Sequence, residues 1–134
     1  MKSDIKIPEV KNVTLAIARK KSLIEKDEWF VYLINTNPHP IENTLVASHG
    51  YGEKEGEQQK TSTLRHFLET VKPNSVALVE SIDPSVFHLN NEYWVSYYIG
   101  NQIFDKKFVF VPDTICEENL SFVKELEMEA VVHS

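Results

Sequence analysis

The chain has 134 residues, 42% of them hydrophobic and 25% charged, the make-up of an ordinary soluble globular protein of one domain. A formal net charge of −6 argues against a nucleic-acid backbone or an anionic membrane as the main partner. The single cysteine, Cys116, excludes an intramolecular disulfide and fits a reducing compartment. A chain of this size buries roughly two-thirds of its unfolded surface, so its stability requires neither a disulfide nor a metal. No window reaches the roughly 18 apolar residues of a membrane span, and the first twelve residues hold no apolar stretch of a signal peptide. A cytoplasmic protein is expected.

Residues 1–12 are polar, with a weak alternation at Ile5 and Ile7 and a proline at position 8, which fits a frayed lead-in or an edge strand. Val13, Leu15 and Ile17 then alternate with Thr14, Ala16 and Ala18, a strand reaching Lys20. After a charged link, Trp29 to Ile34 is apolar on both faces and belongs in the middle of a sheet, covered on both sides. The run Asn35-Thr-Asn-Pro-His-Pro40 is a turn, and Thr44 to Ser48 is a further short strand. His49 to Lys60 has no periodicity and contains three of the four glycines, so it reads as a mobile, solvated loop.

Leu64 to Val71 fits two patterns. Leu64, Phe67, Leu68 and Val71 form a helical stripe, while Leu64, His66 and Leu68 alternate as in a strand. The turn at Pro73-Asn-Ser75, the apolar run Val76 to Ile82 after it and the all-β surroundings favour the strand. Asp83-Pro84 breaks the chain before Val86 to Leu89. From Asn91 to Pro112 two long strands, about 92–99 and 103–111, are joined across Gly100-Asn101. They hold seven of the fourteen aromatic residues and are expected to supply much of the core. Beyond them, Thr114-Ile-Cys-Glu117 has the spacing of a capping box, and Leu120, Val123 and Leu126 predict an amphipathic helix over about 115–129.

About seven or eight strands, with turns every eight to twelve residues or so, predict a mainly β fold. The expected architecture is an immunoglobulin- or fibronectin-like antiparallel β-sandwich over about 13–112, completed by the short C-terminal helix, in one domain of residues 1–134. The segment Trp29 to Pro112 resembles the ApaG-type domain, a small fibronectin-like sandwich. The matching features are the aromatic strand Trp29–Asn37, the glycines from Gly50 to Gly56, the turn Pro73-Asn74-Ser75 and the hairpin Tyr93–Pro112. The chain has Gly50-Tyr-Gly52-Glu-Lys-Glu-Gly56, one residue longer than the family's G-x-G-x-x-G, and the segment after Pro112 is additional. The resemblance implies the fold rather than an activity. The chain is also similar in general look to short proteins described as phenylalanyl-tRNA synthetase subunits. That implies at most an accessory role, since only Arg19 and Arg65 are present to serve Arg-dependent motifs.

A binding site is expected around the glycine-containing stretch, with His49, Gly50, Gly52, Lys54, Gly56, Arg65 and His66 as candidates. Its amides, with Lys54 and Lys60, suit a phosphate, but no Gly-Lys-Ser/Thr ending follows and three glutamates stand beside them. The five histidines show neither H-x-x-x-H nor C-x-x-C spacing, so no metal set is assigned. His49 and His66 approach each other only if their strands pair suitably, with Glu53 or Glu55 nearby. Cys116, in the first turn of the expected helix, has a lowered thiol pKa from the helix end, opposed by Glu117 and Glu118. No catalytic residue and no cofactor are assigned. Tyr93, Trp94 and Tyr97 belong to the core, or else form an exposed face for a protein partner. The expected role is a non-catalytic interaction or small binding module that engages a protein or itself. The alternatives are a small metal-dependent enzyme using the loop histidines and an accessory domain of an aminoacyl-tRNA synthetase.

Overall fold

Ten strands form in the computed structural model, which describes residues 8–134, and period-two alternation of apolar side chains builds the longer ones. The Ile5/Ile7 alternation lies outside the described residues. The strands are β1 (Val13–Lys20), β2 (Glu28–Asn35), β3 (Ile41–Lys54), β4 (Glu57–Lys60), β5 (Leu64–Val71), β6 (Ser75–Ser81), β7 (Asn90–Ile99), β8 (Gln102–Phe110), β9 (Ser121–Val123) and β10 (Met128–His133). They form two antiparallel five-stranded sheets packed as a sandwich. The first has the order β6-β2-β1-β10-β9; the second runs β4-β3-β7-β8, with β5 also paired to β3. The segment 64–71 is therefore a strand, as its alternation suggested.

The core forms where the two inner faces meet. Leu15, Ile17, Val31 and Leu33 of the first sheet pack against Val46, Tyr93, Val95, Tyr97 and Phe108 of the second, all essentially buried. Each such side chain stabilises the fold by about 1.5–3 kcal/mol relative to exposure. The aromatic hairpin β7–β8 turns at Gly100-Asn101, where only Gly100 has a positive φ, 60°. That is the backbone of a type II′ turn, whose twist matches the strands it joins.

The turn after β2 is held by side chains. Asn35 is fully buried and donates through Nδ2 to the carbonyls of His39, Val71 and Lys72. Its Oδ1 accepts from the amide and the Nδ2 of Asn37. The crossing from the first sheet to the second is thus tied to the β5–β6 crossing back.

Two expectations are corrected. The stretch 49–60 is a paired hairpin: β3 continues to Lys54 and turns at Glu55-Gly56, both at positive φ (54° and 82°), into β4. This is a type I′ pattern. Where Asp83-Pro84 breaks the chain, Pro84–Val86 forms a 3-10 turn capped by the Asp83 carboxylate on the Ser85 amide. The helix over 115–129 does not form, and the described residues contain no α-helix.

The Thr114 hydroxyl donates back to the Val111 carbonyl instead of capping a helix, and only one 3-10 turn, Glu117–Asn119, follows. Pairing with distant residues prevails over local helical spacing, since β10 lies along β1 with Ile17 opposite Val131 and Ala18 opposite Ala130. Leu126, with Val123 and Met128 beside it, closes over Ala16, Ala18, Ile34 and Ala130 on the outer side of the first sheet. That gives β2 its second cover.

Candidate functional site

The edge strands β6 and β5 face each other along one open side of the sandwich, and a cavity of about 250 Å³ lies there. It is lined by Ser48, Leu64, Glu80, Asp83, Asn91 and Tyr93 among others. Glu80 reaches inward because the β2–β6 register shifts: Val31 pairs with Glu80 while Tyr32 pairs with Leu78, leaving Val79 as an extra residue. A bulge of this kind re-aims the side chains beyond it. Without it, a residue two places from exposed Leu78 would share that side chain's outward face.

Three donors from the second sheet converge on this carboxylate. Ser48 Oγ donates to Glu80 Oε1 at 2.8 Å, and His66 Nε2 lies 2.7 Å from the same oxygen. The Tyr93 hydroxyl donates to Oε2 at 3.3 Å. Burial, reinforced by the Glu80 carboxylate, pushes the Tyr93 phenol well above its ordinary range, so it stays a neutral donor.

Ser48 and His66 bind the same acceptor oxygen, so the imidazole does not stand between serine and carboxylate. A serine relay needs the histidine to accept the serine proton, and this order does not provide it. The cluster does join the sheets, pinning one residue of β6 to β3, β5 and β7.

Several of the candidate residues serve the fold. Gly50 and Gly52 face inward beneath Leu89, whose methyls lie only 3.3 and 3.2 Å from where a Cβ would stand. The Gly50 amide donates to Thr61 Oγ1 at 2.7 Å, and Tyr51 to Lys54 are laddered to β4. Amides engaged in pairing do not cradle a phosphate. Gly56 occupies the hairpin turn, and exposed Lys54 stands opposite Glu57 at its mouth.

His49 and His66 do not meet, because they project from opposite faces of the second sheet. His49 Nδ1 lies 3.4 Å from Glu92 Oε2 on the outer side, and His66 joins Glu80 on the inner side. Among the described residues no group of three His, Cys, Asp or Glu side chains is placed to hold a metal ion. Cys116 is no activated nucleophile either. Its hydrogen bond to the Glu118 carboxylate pushes the thiol pKa up, the opposite of the helix-end effect expected.

Tyr93, Trp94 and Tyr97 do not share a face. Tyr93 and Tyr97 are 1% exposed within the core, while Trp94, one residue out of phase, is 46% exposed on the outer side. Trp94 stands there among residues that the sequence reading passed over: Leu45, Phe67, Tyr98 and Ile103, all exposed. The pairings place Phe67 beside Leu45 and Leu45 beside Ser96. They also align Arg65, Ala47, Trp94 and Lys107 across four strands, and set Tyr98 next to Ile103. An antiparallel sheet facing water usually alternates apolar-in with polar-out; this outer face departs from that.

The signal was present in the phase of the hairpin. Once Tyr93, Val95 and Tyr97 are inside, Trp94 and Tyr98 must be outside. Charges rim the patch: Glu92 bridges His49 and Lys107, the latter at 3.6 Å, whereas Arg65 and Asp105 have no ion pair among the described residues. No family model, curated protein or solved structure matches the chain.

Proposed function

We propose that the protein is a cytoplasmic, non-catalytic interaction module that binds a protein surface through the outer face of β5, β3, β7 and β8. The observation that carries this reading is the set of five large apolar side chains on that face, Leu45, Phe67, Trp94, Tyr98 and Ile103. Large apolar side chains gathered on one exposed face with charges around them mark a protein-binding surface. We read the architecture as immunoglobulin- or fibronectin-like. Supporting that reading are the neighbours β1-β2-β6 in one sheet and β5-β3-β7-β8 in the other, with β9 and β10 added beyond β1. The Glu80 carboxylate, engaged by three donors from the facing sheet, is consistent with a non-catalytic role, since those partners hold the sheets together.

The test compares the proteins retained by immobilised wild-type chain with those retained by Trp94→Asp and Phe67→Asp variants, each first checked for native circular dichroism. Both positions are exposed, so folded variants are expected. Loss of specific capture in both variants supports the reading. Equal capture by all three chains, or none by the wild type, would sink it.

A further inference from the structure

The cavity between β5 and β6 has more acceptors than its own donors fill. A carboxylate offers about four acceptor positions. Glu80 Oε1 is taken by Ser48 and His66, whereas Oε2 receives only the Tyr93 hydroxyl, at the longer distance of 3.3 Å. One position therefore remains on a side chain that is only 13% exposed and lines the cavity.

Asn91 adds a second vacant acceptor. The residue is 5% exposed, and its Nδ2 donates to the carbonyls of Val86 and Leu89. Those two bonds fix the orientation of the amide and leave Oδ1 without a hydrogen bond among the described residues. Oδ1 stands on the Gly50 side, 3.5 Å from where a Cβ of that residue would lie, and both residues line the cavity. Polar groups this enclosed are normally satisfied.

We infer that this cavity binds the ammonium end of a primary alkyl amine, held between Glu80 and Asn91 with its stem along Leu64, Ile82 and Val86. The site is separate from the outer face, and the inference does not rest on the interaction reading. An ammonium carries three donors and no acceptor, which suits a lining of vacant acceptors. No lysine or arginine lines the cavity, and His49, which borders it, engages Glu92 on the other side of the sheet. His66 is thus the one partner of Glu80 that can carry a positive charge, and a buried charge is costly unless paired. Asp83 adds a second carboxylate at the mouth, kept below its ordinary pKa by the Ser85 hydrogen bonds and, less, by Lys26 outside the lining. An anion would meet both carboxylates. The volume of about 250 Å³ equals that of roughly eight waters in the liquid, enough for a short alkyl chain.

An NMR titration of the isotopically labelled chain tests the inference, with butylamine set against n-butanol as its neutral counterpart. Butylamine is expected to shift the Asn91 side-chain amide saturably, with a Kd on the order of 1 mM, and butanol to bind at least about tenfold more weakly. Glu80→Gln keeps the shape and is expected to weaken butylamine about tenfold, and Asp83→Asn, at the exposed mouth, only about twofold. No saturable shift, equal binding of the two compounds to the wild type, or a folded Glu80→Gln variant that binds the amine as tightly overturns the inference. The wild-type comparison stands even where a variant fails to fold. Nα-acetyl-lysinamide in the same titration identifies the source. Binding as tight as that of butylamine assigns the ammonium to a lysine side chain of a protein partner, and its exclusion assigns it to a free amine.

Discussion

Glu80 and His66 face each other across the gap between the two sheets, with 2.7 Å separating carboxylate and imidazole. Ser48 and Tyr93 complete the cluster, so one carboxylate on the first sheet satisfies three groups on the second. Replacing Glu80 with Leu strands those three polar groups in a mostly buried place. The expected loss is about 3 kcal/mol, since an orphaned polar group costs more than a bond contributes. Glu80→Gln keeps an acceptor for Ser48 or His66 and is expected to cost less, about 1 kcal/mol. Urea denaturation of the three proteins checks this. A Glu80→Leu variant as stable as wild type would show that the cluster does not hold the sheets together.

Tyr97 presents the reverse case. Its ring is in the core and stacks on Phe104 at 5.3 Å, yet its hydroxyl is buried with no hydrogen-bond partner. Burial pushes the phenol pKa up to about 12, from an ordinary value of 10.0. The folded chain therefore keeps a proton that the unfolded chain begins to release above pH 10. Stability from this group is full below that pH and is lost as pH rises through about 12. Tyr97→Phe removes the orphan hydroxyl, so stability at neutral pH is expected to hold or rise by up to about 1 kcal/mol. Its alkaline decline is expected to be shallower than that of wild type. Tyr93 keeps part of the decline in the variant, because its phenol is raised in the same direction. Denaturation midpoints measured from pH 7 upward compare the two chains.

Where side chains alternate over a whole strand, the fold was readable from residue types. Val13–Lys20 and the hairpin around Gly100 match their strands closely. The length of β3 was hidden because two of its inward positions are Gly50 and Gly52, which carry no side chain to show the alternation. Glu80 could not be assigned to the interior, since the bulge that turns it inward arises from pairing with β2, far away in the chain. The capping-box spacing at Thr114 was a local signal overruled by a distant one, the edge of β1. In the candidate site, Trp94 was identified but grouped with the wrong neighbours. Its companions on the outer face come from β3, β5 and β8, and only register brings them together.

Cys116 offers a chemical check on the missing helix. A thiol in a helical first turn reacts faster than a free cysteine, whereas here its hydrogen bond to Glu118 raises the pKa. Alkylation by iodoacetamide near pH 8 is therefore expected to be slower than for an unstructured cysteine peptide. Glu118→Gln removes the carboxylate and is expected to speed the reaction. A wild-type rate above that of the peptide would contradict the hydrogen-bonded arrangement.

The turn between β9 and β10 separates hairpin from helix by the sign of a stability change. Leu126 is nearly buried over Ala16, Ala18 and Ile34, so Leu126→Ala is expected to cost about 2–3 kcal/mol. That result alone does not distinguish the two structures, because a packed helix would also suffer. Glu127 does, since its φ of 54° places a side chain where glycine is at ease. In the observed turn, Glu127→Gly relieves that strain and is expected to stabilise the fold by up to about 1 kcal/mol. Within a helix the same change would destabilise by about 1 kcal/mol. Thermal or urea denaturation reads the sign directly: a gain supports the β9–β10 hairpin, and a loss of that size returns the segment to a helix.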